Sequence, residues 1–375
     1  MKKICIVTAT RSEYGLLKWV IDEIYKSPLF ELSLIVTGGH LCVEQGYTIE
    51  YIKNDGYPIA EQFDIKPYYN TLLDVNESMA ICQSEFGKIL DKTNPDILII
   101  LGDRIELLPI CFAALIQNIP IAHIAGGDIT EGAIDNKIRN AVTMLSNYHF
   151  PGTIESAERL RRMLNSDKNI FVTGETNLDN FTRIKKLSRA ELAKELGLDP
   201  QKEWVLCTYH AETTISLEDN LRRVNNLVEL FSTHLTNKEV IITKANTDFG
   251  GLRINEIFNE SQKQYNNIHL FSSLGQIRYI SILYQVKFMI GNSSSGIFET
   301  PLIKLPVINI GNRQLGRNYT SNIILSNGDL NDLITATKKA LSDDFLKSLI
   351  NLENPYGDGH ASEKIVSKIK DILYV

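Results

Sequence analysis

The sequence predicts an α/β fold of two parallel-sheet domains, and three observations carry that prediction. At 375 residues the chain exceeds what one hydrophobic core usually fills. Short β-branched runs alternate with helix-length segments from the first residues onward, which is the pattern of βαβ units. A charged helical stretch then interrupts the alternation, and after it the same pattern starts again.

In chain order, the runs at 4–9, 32–37, 96–101, 120–124 and 170–172 predict the strands of the first domain. The opening "MKKICIVTAT" has an apolar run too brief for a secretory or membrane segment, so it reads as the first strand of a cytoplasmic protein. From 174 to 200 the text changes to "FTRIKKLSRAELAKELGLDP", a charged connector. The second domain is predicted from "EWVLCTYH", "EVIITKAN", "NIHLFSS", "VKFMIGN" and "PVINIGN". We place the domains at 1–185 and 186–360. The closing helix, 361–375, carries Ile365, Ile369 and Ile372 on one face and is expected to pack back on the first domain.

A net charge of −6 argues against a general nucleic-acid or membrane-surface binder, so any anion must be met by local positive charge. Hydrophobic residues make up 43% and charged residues 22%, which is ordinary globular composition without a repeat or low-complexity tract. The five cysteines lie far apart, with no Cys-x-x-Cys pair and no histidine at metal-ligand spacing. No metal site is expected, and Cys5 and Cys111 read as buried thiols.

In parallel α/β sheets the ligand sits beyond the carboxyl ends of the strands, so the residues that follow each run matter most. After the first, "TATRSEYG" puts Arg11 and Ser12 at the turn and Tyr14 at the opening of a helix, where an arginine reinforces the positive end of the dipole. A surface arginine beside an N-cap serine gives the same text. Asp103 and Arg104 end "PDILIILGDR", where charged groups are costly to bury without a partner or a task; a structural ion pair is the alternative. In "IAHIAGGDITEGAIDNKIRNAV", His123 leads into a Gly-Gly turn, Asp128 and Glu131 lie in the loop, and Asp135 and Arg139 are four apart on one helix face.

The second domain repeats the arrangement. "CTYHAET" ends its first strand with His210 and Glu212, which suits a general acid or base tuned near neutrality. "TKANTDFGG" supplies Lys244, Asn246 and Asp248, either as a turn or as an anion-contacting loop. "MIGNSSSGIFETP" leaves a strand at Gly291 and offers backbone N–H groups and hydroxyls from Asn292 to Ser295, a cradle for a diphosphate; a plain serine N-cap is the alternative. Glu299 would repel phosphate, so a neutral diol such as ribose is its more sensible partner. Arg313 and Arg317 add positive charge nearby. The Gly-x-Gly-x-x-Gly and P-loop signatures are both missing, which argues against dinucleotide redox chemistry and P-loop NTP hydrolysis and leaves a nucleotide-diphosphate ligand.

Taken together, "TRSEYG", "GDR", "HIAGGDITEGAIDNKIR", "YHAET", "GNSSSGIFETP" and "NIGNRQ" resemble the hydrolysing UDP-N-acetylglucosamine 2-epimerases of the sialic-acid type, over nearly the whole chain. The resemblance implies two Rossmann-like domains facing a cleft, a glycosyltransferase-B-like architecture, and a homodimer. It implies cleavage of UDP-N-acetylglucosamine to UDP and N-acetylmannosamine, by elimination to a 2-acetamidoglucal followed by addition of water, without a metal or redox cofactor. Ser293 and Ser294 then fall on the diphosphate, Glu299 on the ribose and Arg11 on a phosphate, with Asp103, Asp135 and His210 on the family's active-site groups. The full expected set is Asp103, Arg104, Asp128, Asp135, Arg139 and His210 for catalysis. For the UDP-sugar it is Arg11, Glu212, Asn246, Asp248, Phe271, Ser293, Ser294, Ser295, Glu299 and Arg313.

One position departs from the family pattern. Many relatives have a carboxylate where this chain has Ala125, and others a histidine; here only the second acid is kept, as Asp128. Alanine makes room for a changed C4 or C6 substituent, so UDP-N,N'-diacetylbacillosamine is the alternative substrate. A UDP-sugar glycosyltransferase shares the architecture and is the more distant rival; a UDP-sugar sensor would need no such set of proton-handling residues.

Overall fold

The computed structural model describes residues 1–129 and 134–374; Glu131, named above, lies outside them. The chain divides into two compact units, Met1–Thr182 together with the chain from Pro355 onward, and Arg183–Asn354. Each carries a six-stranded sheet in which all pairings are parallel.

The first unit contains β1 (Lys2–Thr8), β2 (Phe30–Val36), β3 (Ile59–Gln62), β4 (Ile97–Leu101), β5 (Ile121–Ile124) and β6 (Tyr148–Phe150), in the order β3-β2-β1-β4-β5-β6. The central strands are covered on both faces, which is why β4 reads as an unbroken apolar run rather than an alternating one. One face packs Ile4, Ile6 and Ile99 against Leu17 and Ile21 of the helix Arg11–Lys26; the other packs Cys5, Leu98 and Ile100 against Phe86, Ile110 and Val142. The closing helix Ala361–Leu373 belongs to this unit, with Ile365 and Ile369 fully buried in the same cluster as Leu17. Its start is capped by the buried carboxylate of Asp179, which accepts the N–H groups of Ala361 (2.8 Å) and Ser362 (2.7 Å).

The second unit contains β7 (Glu203–Thr208), β8 (Lys238–Thr243), β9 (Ile268–Phe271), β10 (Val286–Gly291), β11 (Val307–Ile310) and β12 (Ile323–Ser326), in the order β12-β11-β10-β7-β8-β9. Its core gathers Val205, Cys207, Phe231, Ile242, Phe258 and Ile290. From Arg183 onward the charged connector is part of this unit. Its helix Arg189–Leu196 opens on a capping box between Ser188 and Glu191, and the Arg189 guanidinium lies 3.9 Å from the centre of the Trp204 ring.

The strand expected at 170–172 does not form; only a single bridge joins Ile170 to His149. The sheet edge is taken instead by β6, which precedes it in the chain across the helix Ile154–Leu164. The N-cap serine offered as the alternative at the first helix is not found: Thr10 is the N-cap, accepting the Glu13 N–H, so Arg11 is already helical and Tyr14 lies within the first turn. All five cysteines are free and buried, and burial pushes the thiols of Cys5 and Cys111 up to about 12. No helix among the described residues is long and apolar enough to cross a membrane.

Candidate active site

In the first unit the residues singled out from the sequence gather where β1, β4 and β5 end. Gly102 leaves β4 with φ of +81°, and Asp103 follows, its carboxylate paired with Arg139 of the helix Asp135–Leu145. Arg139 is buried and also donates to the carbonyl of Asp128 (2.8 Å), tying the β5 loop to the β4 end. Asp135 is the first residue of that helix and half-buried. Arg104 turns away from Asp103 and forms a two-pronged pair with the buried Glu106, Nε to Oε2 at 3.1 Å and Nη2 to Oε1 at 2.8 Å. Arg104 and Arg139, expected to be catalytic, are thus each paired with a neighbouring carboxylate. The ion pairs that sequence offered as an alternative exist, but with other partners.

Arg11 is exposed at the start of its helix, its guanidinium 4.6 Å from the Tyr51 ring centre, and it has no ion-pair partner among the described residues. Beneath it the buried Glu13 accepts the Ala9 N–H at 2.6 Å and pins the turn; burial pushes this carboxyl up to about 7. Asp128 accepts the hydroxyl of Ser156 at 2.6 Å, and burial raises its pKa against the pull of that hydrogen bond and of Arg139 and Arg159.

In the second unit the strand ends of β7, β8 and β10 meet. Gly291 closes β10 at φ of +136°, where a Cβ would lie 2.0 Å from the carbonyl oxygen of Thr208, so only glycine fits. Asn292 then clamps His210 by both backbone groups, accepting its N–H (2.7 Å) and donating to its carbonyl (2.8 Å). Sequence reasoning missed this role of Asn292, because the pairing joins residues 82 apart. The N–H groups of Ser293 and Ser294 have no partner among the described residues and stand at the start of the short helix Ser295–Phe298, open to an anion. Ser294 makes no side-chain cap, but the Ser293 hydroxyl accepts the Ser295 N–H at 3.4 Å, so the serine-cap alternative holds in part.

His210 is half-buried, and its Nδ1 accepts the backbone N–H of Asn246 at 3.1 Å. An amide N–H only donates, so the neutral ring carries its proton on Nε2 and presents a donor. Burial lowers its pKa, the Arg313 charge lowers it further, and Asp248 opposes them. The ring is thus suited to donating a hydrogen bond to an oxygen. Asn246 and Asp248 are bonded to each other at 2.7 Å, Phe271 is half-buried at the end of β9, and Arg313 donates to the Asn292 carbonyl at 3.3 Å.

Two expected contact residues are bonded within their own unit. Glu212 is buried, paired with Arg223 (2.8 Å) and accepting the Asn312 N–H (3.0 Å), so it braces the loop after β11. Ser295 donates to Glu299 at 2.5 Å and meets the buried Tyr279 hydroxyl, also at 2.5 Å; it orients the Glu299 carboxylate. Among the described residues no group of three or more His, Cys, Asp and Glu is placed to hold a metal.

One unit thus offers open amides and a donor histidine suited to an anionic group, and the other offers carboxylates held by arginines and suited to moving protons. The family profile described as UDP-N-acetylglucosamine 2-epimerase matches residues 22–370. The chain is 37% identical over 345 residues to the GDP/UDP-N,N'-diacetylbacillosamine 2-epimerase (hydrolyzing) of Campylobacter jejuni, covering 92% of this chain and 88% of that protein. It is 31% identical over 373 residues to the UDP-N,N'-diacetylbacillosamine 2-epimerase (hydrolyzing) of Legionella pneumophila, covering 99% and 96%. The crystal structure of UDP-GlcNAc 2-epimerase from Neisseria meningitidis bound to UDP-GlcNAc superposes with a TM-score of 0.81 at 18% identity, covering 98% and 100%, and shares the fold, a glycosyltransferase-B-like pair of parallel-sheet units. With the profile spanning most of the chain and these relatives matching along its length, the protein belongs to the UDP-N-acetylglucosamine 2-epimerase family.

Proposed function

We propose that the protein is a hydrolysing 2-epimerase of a UDP-sugar, releasing UDP and the free 2-epimeric sugar by elimination to a glycal and addition of water. The observation that carries the reading is the loop after β10, where the open amides of Ser293 and Ser294 stand beside a carboxylate, Glu299, held in place by Ser295. Amides and the Nε2–H of His210 stabilise charge that grows on the departing diphosphate more than they stabilise the bound ground state. Arg11 of the first unit is the residue we assign to a phosphate. Asp103 and Asp135 are the groups we assign to the C2 proton and the sugar hydroxyls.

For the sugar, we favour N,N'-diacetylbacillosamine over N-acetylglucosamine, reversing the order that the sequence motifs suggested. The two relatives described above are both named for that sugar, and Ala125 leaves space for a larger C4 substituent. The test is kcat/KM with UDP-N,N'-diacetylbacillosamine and with UDP-N-acetylglucosamine. We expect a preference of at least about tenfold for the former, which corresponds to about 1.4 kcal/mol of transition-state binding. Equal or reversed values would return the reaction to N-acetylmannosamine formation and the sialic-acid route, and transfer of the sugar to an added acceptor would favour the glycosyltransferase reading.

If Glu299 holds the ribose, Glu299→Ala weakens UDP binding by about 1.5–3 kcal/mol, the range for a hydrogen bond to a charged group. Calorimetric titration with UDP measures this directly, and an unchanged Kd removes Glu299 from the nucleotide site.

A further inference from the structure

Inversion at C2 means that the proton taken from one face of the sugar is replaced from the other, so the hydration step needs a protonated group as well as a base. We propose that Glu175 is that group, its carboxylic acid delivering the proton to C2 of the glycal. The assignment rests on the reaction proposed above.

The backbone of Glu175 is tied on both sides, its N–H donating to the Tyr356 carbonyl (2.7 Å) and its carbonyl accepting from Leu178 (3.1 Å). The Thr173 N–H bonds to the Pro151 carbonyl (3.2 Å), which lays this segment along the chain leaving β6. There the carboxyl lies against Gly152, where a Cβ would sit 2.0 Å from Oε1. Phe150, two residues earlier, accepts the N–H of Ala125 (3.0 Å), so the carboxyl stands beside the end of β5 where the Asp128 loop begins. Ala125 itself brings no titratable group to this strand end.

The charged groups facing Glu175 are Asp128 and Arg139, and hydrogen bonding decides which carboxyl holds a proton. The Ser156 hydroxyl receives from Thr153 (2.9 Å) and from Arg159 (2.9 Å), so its one hydrogen goes to Asp128 at 2.6 Å and favours the ionised form. The Glu175 carboxyl has no hydrogen-bond partner among the described residues. Burial pushes its pKa up, the charge on Asp128 pushes it further, and Arg139 works against them. Two neighbouring carboxyls in such unequal surroundings divide the roles of acid and base between them.

In the step itself the O–H bond of Glu175 breaks and the double-bond electron pair of the glycal takes the proton at C2. A water oxygen bonds to C1, its proton passes to a carboxylate of the cluster, and Glu175 regains a proton from solvent. Because the acid form is the working one, hydration falls as pH rises through the raised pKa of Glu175.

The experiment follows UDP, glycal and free sugar by proton NMR for the wild-type protein and for Glu175→Gln, with the sugar nucleotide that the wild type consumes, from about pH 6 to about pH 9. We expect hydration slowed by about 100- to 10,000-fold in the variant, with glycal outweighing free sugar and the alkaline limb of the wild-type profile lost. Glu175→Asp, which keeps an acidic proton, should restore part of the hydration. Wild-type hydration of added glycal by Glu175→Gln would overturn the assignment, as would equal loss of UDP release and hydration with an unchanged pH profile in both variants. A wild-type protein that releases no UDP from either sugar nucleotide would overturn the proposed function itself, and this assignment with it.

Discussion

Asp103→Asn is expected to lower turnover by about 100- to 10,000-fold, the usual contribution of a positioned acid or base, while UDP still binds. The carboxylate stands directly after β4, and Arg139 holds it there as counter-ion. Asparagine keeps the shape but cannot take a proton. It also leaves Arg139, 7% exposed, without that partner, so a loss of about 1–3 kcal/mol in stability should accompany the loss of rate. The open amides and Glu299 belong to the other unit, so the UDP Kd should stay within a factor of about two, well inside the tenfold that 1.4 kcal/mol represents. Steady-state rates, UDP titration and thermal unfolding of the one variant separate these effects. Near-wild-type turnover would remove Asp103 from the chemistry.

Gly291→Ala should have the largest effect on the fold. At φ of +136° an L-residue is strained, and its Cβ would lie 2.0 Å from the Thr208 carbonyl oxygen, the same oxygen that accepts the Asn292 N–H at 3.0 Å. Relief requires β10 to separate from β7 at its end, which displaces Asn292 and with it the clamp on His210. We expect a loss of about 3 kcal/mol or more in unfolding free energy, at the upper end for single substitutions, together with loss of UDP binding. Denaturant unfolding of the variant checks this, and a change below about 0.5 kcal/mol would mean that the strand end yields without strain.

The interior of each sheet was legible in the sequence because its strands are covered on both faces and so read as continuous β-branched runs. Three strands escaped: Ile59–Gln62, Tyr148–Phe150 and Ile323–Ser326. All three lie at sheet edges, where one side has no neighbour and polar residues such as Glu61 and Gln62 are tolerated. A run that looked like a strand, 170–172, forms only a bridge beside one of them. The candidate site was legible wherever its residues follow a strand directly, as Asp103, His210 and Ser293 do. What sequence hid was the wiring: Arg139 reaches Asp103 rather than serving only its own helix, Glu212 serves Arg223, and Ser295 serves Glu299. Glu175 escaped for the same reason, since its character comes from Gly152 and Asp128, which the fold brings to it.

The central claim is that C2 loses its proton while UDP departs and water arrives. The direct test is a proton NMR time course in deuterium oxide with the purified protein, the two UDP-sugars in separate tubes, and neither acceptor nor metal added. The account predicts free 2-epimeric sugar carrying deuterium at C2, formed in step with UDP. Recovery of unchanged sugar nucleotide from both tubes, or a released sugar that keeps protium at C2, would contradict it.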